Sequence, residues 1–163
     1  MTPAQRYMER TADFSECRKY RYALWRIWGG ITGYAMFVGL NPSTADETVD
    51  DPTIRRCISF AQDWGYSGLC MTNIFAYRAT KPSDMKCAID PVGKDNDDWL
   101  RDASSGAAVV VAAWGTHGTF AGRHTAVRKL LPNLHYLKLT KDGHPSHPLY
   151  LQKTLRPVLW STT

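Results

Sequence analysis

The sequence lacks the features that would commit it to a membrane, a metal or a polyanion. No apolar run approaches bilayer-spanning length, and the opening MTPAQRYMERTADFSECRKY is polar, unlike a leader or an anchor. A cytoplasmic location with no membrane partner is therefore expected. Cysteine is sparse. Cys17, Cys57, Cys70 and Cys87 form no Cys-x-x-Cys pair, and none lies beside a histidine at zinc-finger spacing. Reduced thiols and no metal follow, with Cys57 and Cys70 read as small core residues. Neither sign of charge dominates: 20 Lys and Arg against 15 Asp and Glu leave +5. That permits an anionic partner such as nucleic acid without requiring one. No repeat, low-complexity tract or composition break divides the chain, so residues 1–163 are read as a single α/β domain. The six tryptophans suit a core and outline no cofactor box, and no cofactor is expected.

What is present is strand and helix in alternation. In RYALWRIWGGITGYAMFVGL, two apolar arms flank Gly29-Gly30, the pattern of an N-terminal hairpin. The second arm, Ala35 to Leu40, is nearly continuous apolar sequence, as in a strand buried on both faces. Asp51-Pro52 supplies an N-cap and a first-turn proline. Ile54, Cys57, Ile58, Ala61 and Trp64 then recur at helical spacing up to Gly65. GLCMTNIFAY reads as the next strand and RATKPSDM as a loop. Further along come a helix over Asp95 to Ser104, a buried strand over Ala107 to Gly115, and a helix over Gly122 to Leu131. NLHYLKL reads as a strand and HPLYLQKTLRPVL as a terminal helix. Alternation of this kind implies crossover connections and three layers, α/β/α, around a mainly parallel four-stranded sheet with the hairpin beside it.

Such sheets bind ligands beyond the carboxyl ends of their strands. The four predicted strands end in GLNPST, TNIFAYR, AAWGTHG and KLTKDGHPSHPL, each delivering polar residues where one crevice can gather them. Taken in order, these endings resemble the uracil-DNA glycosylase superfamily. Gly39-Leu40-Asn41-Pro42 is similar to its first motif, and His144-Pro145-Ser146 with Leu149 to its last. TNIFAYRATKP and VVVAAWG are similar to segments of its bacterial iron–sulfur branch. The resemblance spans about Ala35 to Leu155. The whole sequence also resembles a phage and bacterial family of unknown function. There are departures. Tyr77 stands where the iron–sulfur branch has a motif cysteine, so no cluster is expected. Asn41 replaces the water-activating aspartate of the most active branch, as it does in the mismatch-thymine branch. His147 and Pro148 separate His144-Pro145-Ser146 from Leu149.

The resemblance implies a nucleobase-directed enzyme acting at the N-glycosidic bond of a pyrimidine in DNA or a nucleotide. Such a catalyst orients one water and stabilises the departing base anion. Asn41 can hold the water through its amide carbonyl, and His144 can donate to a base oxygen as charge develops. Asn73 offers donor and acceptor to a pairing edge, and Phe75 or Tyr77 can stack on a flipped base. Ser43, Thr44, Arg78, Lys81, Ser146 and Leu149 complete the expected substrate contacts. Plain alternatives stand beside each role. Asn-Pro after a strand is often an Asx-turn, Asn73 can serve a loop backbone, Phe75 fits a core, and Arg78 can be solvated. Asp50 and Asp51, being adjacent, point apart and do not suggest a carboxylate pair. His117 borders the crevice without a role. Two other functions keep the same pocket: processing or group transfer on a phage-type hypermodified pyrimidine, and a non-catalytic nucleotide- or DNA-binding module.

Overall fold

The computed structural model describes residues 9–161; the first eight residues of the polar N-terminal stretch and the last two of the chain lie outside the described residues. Seven strands form one mixed sheet: β1 (Glu9–Phe14), β2 (Arg21–Ile27), β3 (Tyr34–Gly39), β4 (Gly68–Asn73), β5 (Val109–Ala112), β6 (Leu134–Tyr136) and β7 (Val158–Leu159). Their order across the sheet is β1-β2-β4-β3-β5-β6-β7. β4, β3, β5 and β6 run parallel, while β2 and β7 join antiparallel at either side. Four helices complete the fold: α1 (Pro52–Asp63), α2 (Pro82–Lys86), α3 (Asn96–Gly106) and α4 (Arg123–Leu130).

The helices fall on opposite faces because the strands carry apolar side chains on both. One face packs Phe37, Leu69, Met71 and Val111 against Ile54, Cys57, Ile58 and Ala61 of α1. The other packs Met36, Val38, Cys70 and Val110 against Leu100 and Ala103 of α3 and Val127 of α4. As its Asp-Pro start predicts, α1 is capped by the Asp51 carboxylate, which accepts the Ile54 N–H at 2.9 Å. It stops before Gly65, whose φ of 86° a side chain would resist. Cys57 and Cys70 are buried and all four thiols are free.

The sequence-predicted hairpin is corrected. β2 and β3 are not partners, because β4 inserts between them. The glycine-rich link wraps around the start of β4. Ser67 N–H donates to the Gly33 carbonyl at 2.7 Å, and Trp28 N–H to the Ser67 carbonyl at 3.0 Å. The hairpin partner of β2 is instead β1. The segment read as a terminal helix is also corrected. Pro148–Tyr150 is a single 3-10 turn, and the chain makes one further turn, with Leu155 N–H donating to the Gln152 carbonyl at 3.3 Å, before it reaches β7. Side chains of α1 take its carbonyls: Arg56 Nη2 donates to Leu151, and Trp64 Nε1 to Leu155 at 3.1 Å. The predicted loop RATKPSDM contains the start of α2, which opens on Pro82.

One irregularity in β2 matters for the site. Asp13 faces Ala23 while Phe14 faces Arg21, so Tyr22 is an extra residue, a β-bulge. Tyr22 turns to the α3 face, stacking on Trp99 with ring centres 6.3 Å apart. Arg21 is thereby turned to the α1 face, the side of Leu24 and Arg26.

Arg26 is fully buried. Its Nε meets Asp50 Oδ1 at 2.8 Å, and its Nη atoms donate to the carbonyls of Trp25, Asp46 and Val49. Breaking a buried ion pair from one side strands the other charge, at about 3–5 kcal/mol. Asp50→Ala is therefore predicted to destabilise the protein by about 3 kcal/mol in urea unfolding. A change under about 0.5 kcal/mol would show that Arg26 does not hold this loop.

Candidate functional site

The carboxyl ends of β3, β4 and β5 open into a cleft of about 460 Å³. β3 contributes Gly39 and the following Leu40 to Thr44; β4 contributes Met71 and Asn73; β5 contributes Ala113 just beyond its end. The amino end of α1 (Asp51 to Ile54), Arg21, Ala79, Thr80, Pro82 and the segment His147 to Leu149 close it. The order of strands reverses here: the chain leaves β3 for β4 on one side and later returns to β5 on the other. Crevices at such reversals are the habitual ligand sites of α/β sheets.

Asn41 follows β3 at the rim. Its Nδ2 donates to the Ala79 carbonyl at 2.8 Å and the Pro42 carbonyl at 3.2 Å, while Ala79 N–H returns a bond to Pro42 at 2.9 Å. The amide therefore clasps the two rim loops together. Its donors are spent, so Oδ1 is the group left to face the cleft. Its hydrogen bonds are those of a loop clasp, and the residue also lines the cleft.

Asn73 ends β4 and is 2 % exposed. Neither atom of its side-chain amide is hydrogen-bonded within the described residues, and Nδ2 is wholly buried. Unpaired polar groups of this kind are few in native proteins, because each forfeits its hydration. The structure nevertheless fixes it firmly. Asn96 Nδ2 of α3 donates to the Asn73 and Ile74 carbonyls at 2.9 and 3.1 Å, and Arg123 Nε of α4 donates to Ile74 at 2.8 Å. Opposite lies Gly39, where an added Cβ would stand 2.7 Å from Asn73 Oδ1 and 2.8 Å from Met71 Cε. The glycine of GLN is thus the space that Asn73 needs.

Ser43, Thr44 and Leu149 also line the cleft. Other sequence-predicted residues do not. The placement of His144 is corrected: its ring packs edge-on to His124 with centres 6.4 Å apart, and its backbone closes the 140–144 turn. Ser146 N–H is bonded to Lys138 and lies outside as well. The residue of HPSHPL that reaches the cleft is His147, the second histidine. Tyr77 packs edge-on against Tyr20, and Phe75 is core. Arg78 spends its guanidinium on the Ser43 and Arg18 carbonyls at 3.3 and 3.2 Å and stacks over Phe14. It lines a shallower depression with Arg18, Lys19, Ser43 and Thr44 beside the cleft. Lys81 only precedes α2, and His117 sits 3.0 Å from Lys86 Nζ. Among the described residues no three His, Cys, Asp or Glu are grouped to hold a metal.

Sequence reasoning missed the three ionisable lining residues: Arg21, Asp51 and His147. Asp51 is the cleft's carboxylate, and it owes its position to capping α1. The signal was the Asp-Pro cap itself, read only as helix punctuation. His147 Nδ1 accepts the Leu149 N–H at 3.2 Å, which puts its proton on Nε2. Although much of the residue's surface is open, the cleft walls desolvate the ring. That lowers its pKa from 6.5, outweighing attraction to Asp51.

These features define an α/β protein with a preformed cleft at the carboxyl ends of a mixed sheet. The chain belongs to the family described as protein of unknown function (DUF1643), which it matches over residues 21–149. Both boundaries of that match, Arg21 and Leu149, are cleft residues. No curated protein and no solved structure matches the chain. Among the described residues no helix is long and apolar enough to cross a membrane.

The lowered His147 pKa fixes a pH dependence. In the folded state the ring resists protonation that it accepts when unfolded, so its stability contribution is complete above 6.5 and lost as pH falls below that value. His147→Gln is predicted to lose less melting temperature than wild type between about pH 7.5 and about pH 5. Identical pH slopes would contradict the desolvated ring.

Proposed function

We propose that the protein is a nucleobase-directed enzyme, related in motif order to the uracil-DNA glycosylases, which holds a pyrimidine in this cleft and cleaves its N-glycosidic bond. The observation that carries this reading is the Asn73 amide, buried and without a hydrogen bond on a backbone that Asn96 anchors. A carboxamide presents a donor and an acceptor side by side, the complement of a pyrimidine's pairing edge. A ligand bearing that edge would offset the desolvation of the Asn73 amide.

Asn41 Oδ1 accepts a hydrogen of the attacking water and aims its oxygen at the sugar. The C–N bond breaks with its electron pair leaving on the base, and the water oxygen bonds to the anomeric carbon. The proton released passes to Asp51, the carboxylate of the cleft. His147, neutral and carrying its proton on Nε2, donates to a base oxygen as negative charge accumulates there, the part first expected of His144. An amide in place of a carboxylate at position 41 suits an oxocarbenium-like transition state, in which the water loses its proton after it has begun to bond.

The test is release of free base from uracil-containing, mismatched and hypermodified substrates, supplied as mononucleotides and as oligonucleotides. Asn73→Ala is predicted to weaken binding of the preferred substrate by about 1–3 kcal/mol, and Asn41→Ala to lower the single-turnover rate more than binding. Binding without base release on every substrate would favour the non-catalytic module. Consumption of a second co-substrate with the glycosidic bond intact would favour group transfer to the base.

A further inference from the structure

β2 buries two arginines on the same side of the sheet, and they are treated differently. Arg26 has Asp50 at 2.8 Å. Arg21, 2 % exposed, has no carboxylate within ion-pair distance among the described residues. Its Nη1 donates to the Ala45 carbonyl at 3.0 Å, and its Nε is buried without a partner. No hydrogen bond to a described residue is made by Nη2 either. Nε and Nη2 form one edge of the guanidinium, the fork that grips an oxyanion through two parallel bonds. The bulge at Tyr22 is what brings this fork to the cleft, and bulges commonly re-aim a side chain near a functional site.

The surroundings suit an anion. α1 directs its amino end into the same cleft, where Thr53 lines the wall with an N–H outside the helix's own bonding. Asp51 opposes an anion, but its Oδ1 is engaged by the Ile54 N–H, and it attracts Arg21 only through space. Burial lowers the Arg21 pKa to about 10, so the side chain remains a cation at neutral pH.

We infer that Arg21 and the amino end of α1 bind the terminal phosphate of a free nucleotide, which makes the cleft's substrate a mononucleotide instead of a base within a strand. The base half of this inference rests on the reading of Asn73 given above; the phosphate half rests on Arg21 alone. A terminal group can reach a guanidinium that is almost wholly covered. A phosphodiester inside a strand carries chain away on both sides and needs an open groove. A cleft of about 460 Å³ is of the size that encloses small ligands.

The test measures binding and melting temperature on the full chain with inorganic phosphate, deoxyuridine, dUMP, and a 5′-hydroxyl oligonucleotide carrying one internal uracil. Wild type should bind dUMP at least about tenfold more tightly than deoxyuridine. Arg21→Gln, which keeps a donor for Ala45, should lose that preference while melting no lower than wild type, since it removes an uncompensated buried charge. Inorganic phosphate should raise the melting temperature of wild type but not of Arg21→Gln. If Arg21→Gln does not fold, Arg21→Lys, which keeps the charge but not the fork, should reduce the dUMP preference. Phosphate stabilisation with dUMP bound no more tightly than inorganic phosphate would leave the anion site standing and remove the nucleobase reading. Equal binding of dUMP and deoxyuridine, with no phosphate effect, would overturn the site. Tighter binding of the oligonucleotide than of dUMP would overturn the terminal phosphate.

Discussion

The cleft depends on the anchoring of one loop by Arg26. Residues 40–51 leave β3 and return as the cap of α1, and an unanchored loop of that length would have no single conformation. The Arg26 guanidinium fixes it from beneath, binding the Asp46 and Val49 carbonyls and the Asp50 carboxylate. Asp46 Oδ1 adds a local turn by accepting the Thr48 and Val49 N–H groups. The neighbouring Ala45 carbonyl is held by Arg21. With the loop fixed, Asn41 clasps Ala79, α1 starts at Pro52, and the wall from Ser43 to Ile54 has a defined shape. The pairing of Arg26 also explains why a second buried cation is tolerated nearby. The loop is already secured, so Arg21 need not be spent on it alone.

The cleft is thus lined by groups whose bonding the protein leaves incomplete. Arg21 Nε and Asn73 Nδ2 are both buried without partners, and Asn41 lines the same space. The two buried groups cost stability while unbonded, as do Arg56 Nε, Asn96 Oδ1, Trp114 Nε1 and His124 Nδ1 elsewhere in the fold. What sets Arg21 and Asn73 apart from those four is that both line the cleft, where a ligand can meet them.

Much of this was legible in the sequence, for identifiable reasons. Strands buried on both faces announce themselves as apolar runs, and Asp51-Pro52 marks a helix start by local stereochemistry alone. Asn41 and Asn73 stood out because a polar residue closing an apolar strand has nowhere else to point. Pairing was not legible. The arms on either side of Gly29-Gly30 alternate correctly for a hairpin, and nothing local reveals that β4 inserts between them. The bulge at Tyr22 was equally hidden, since it arises from the fit of Tyr22 against Trp99, far away in sequence. Arg21 was overlooked for that reason. His144 and His147 share one motif, and only the turn that folds 140–144 back on itself decides which histidine reaches the cleft. The terminal segment has helical spacing, but Pro148 and Pro157 and the side chains that take its carbonyls limit it to isolated turns.

The most direct measurement is a crystal structure of the protein soaked with a pyrimidine mononucleotide. The account predicts the phosphate oxygens within hydrogen-bonding distance of Arg21 Nε and Nη2, with the pairing edge of the base on the Asn73 amide. A nucleotide bound elsewhere, or an occupied cleft in which Arg21 has turned to Asp51 and Asn73 remains unbonded, would contradict it.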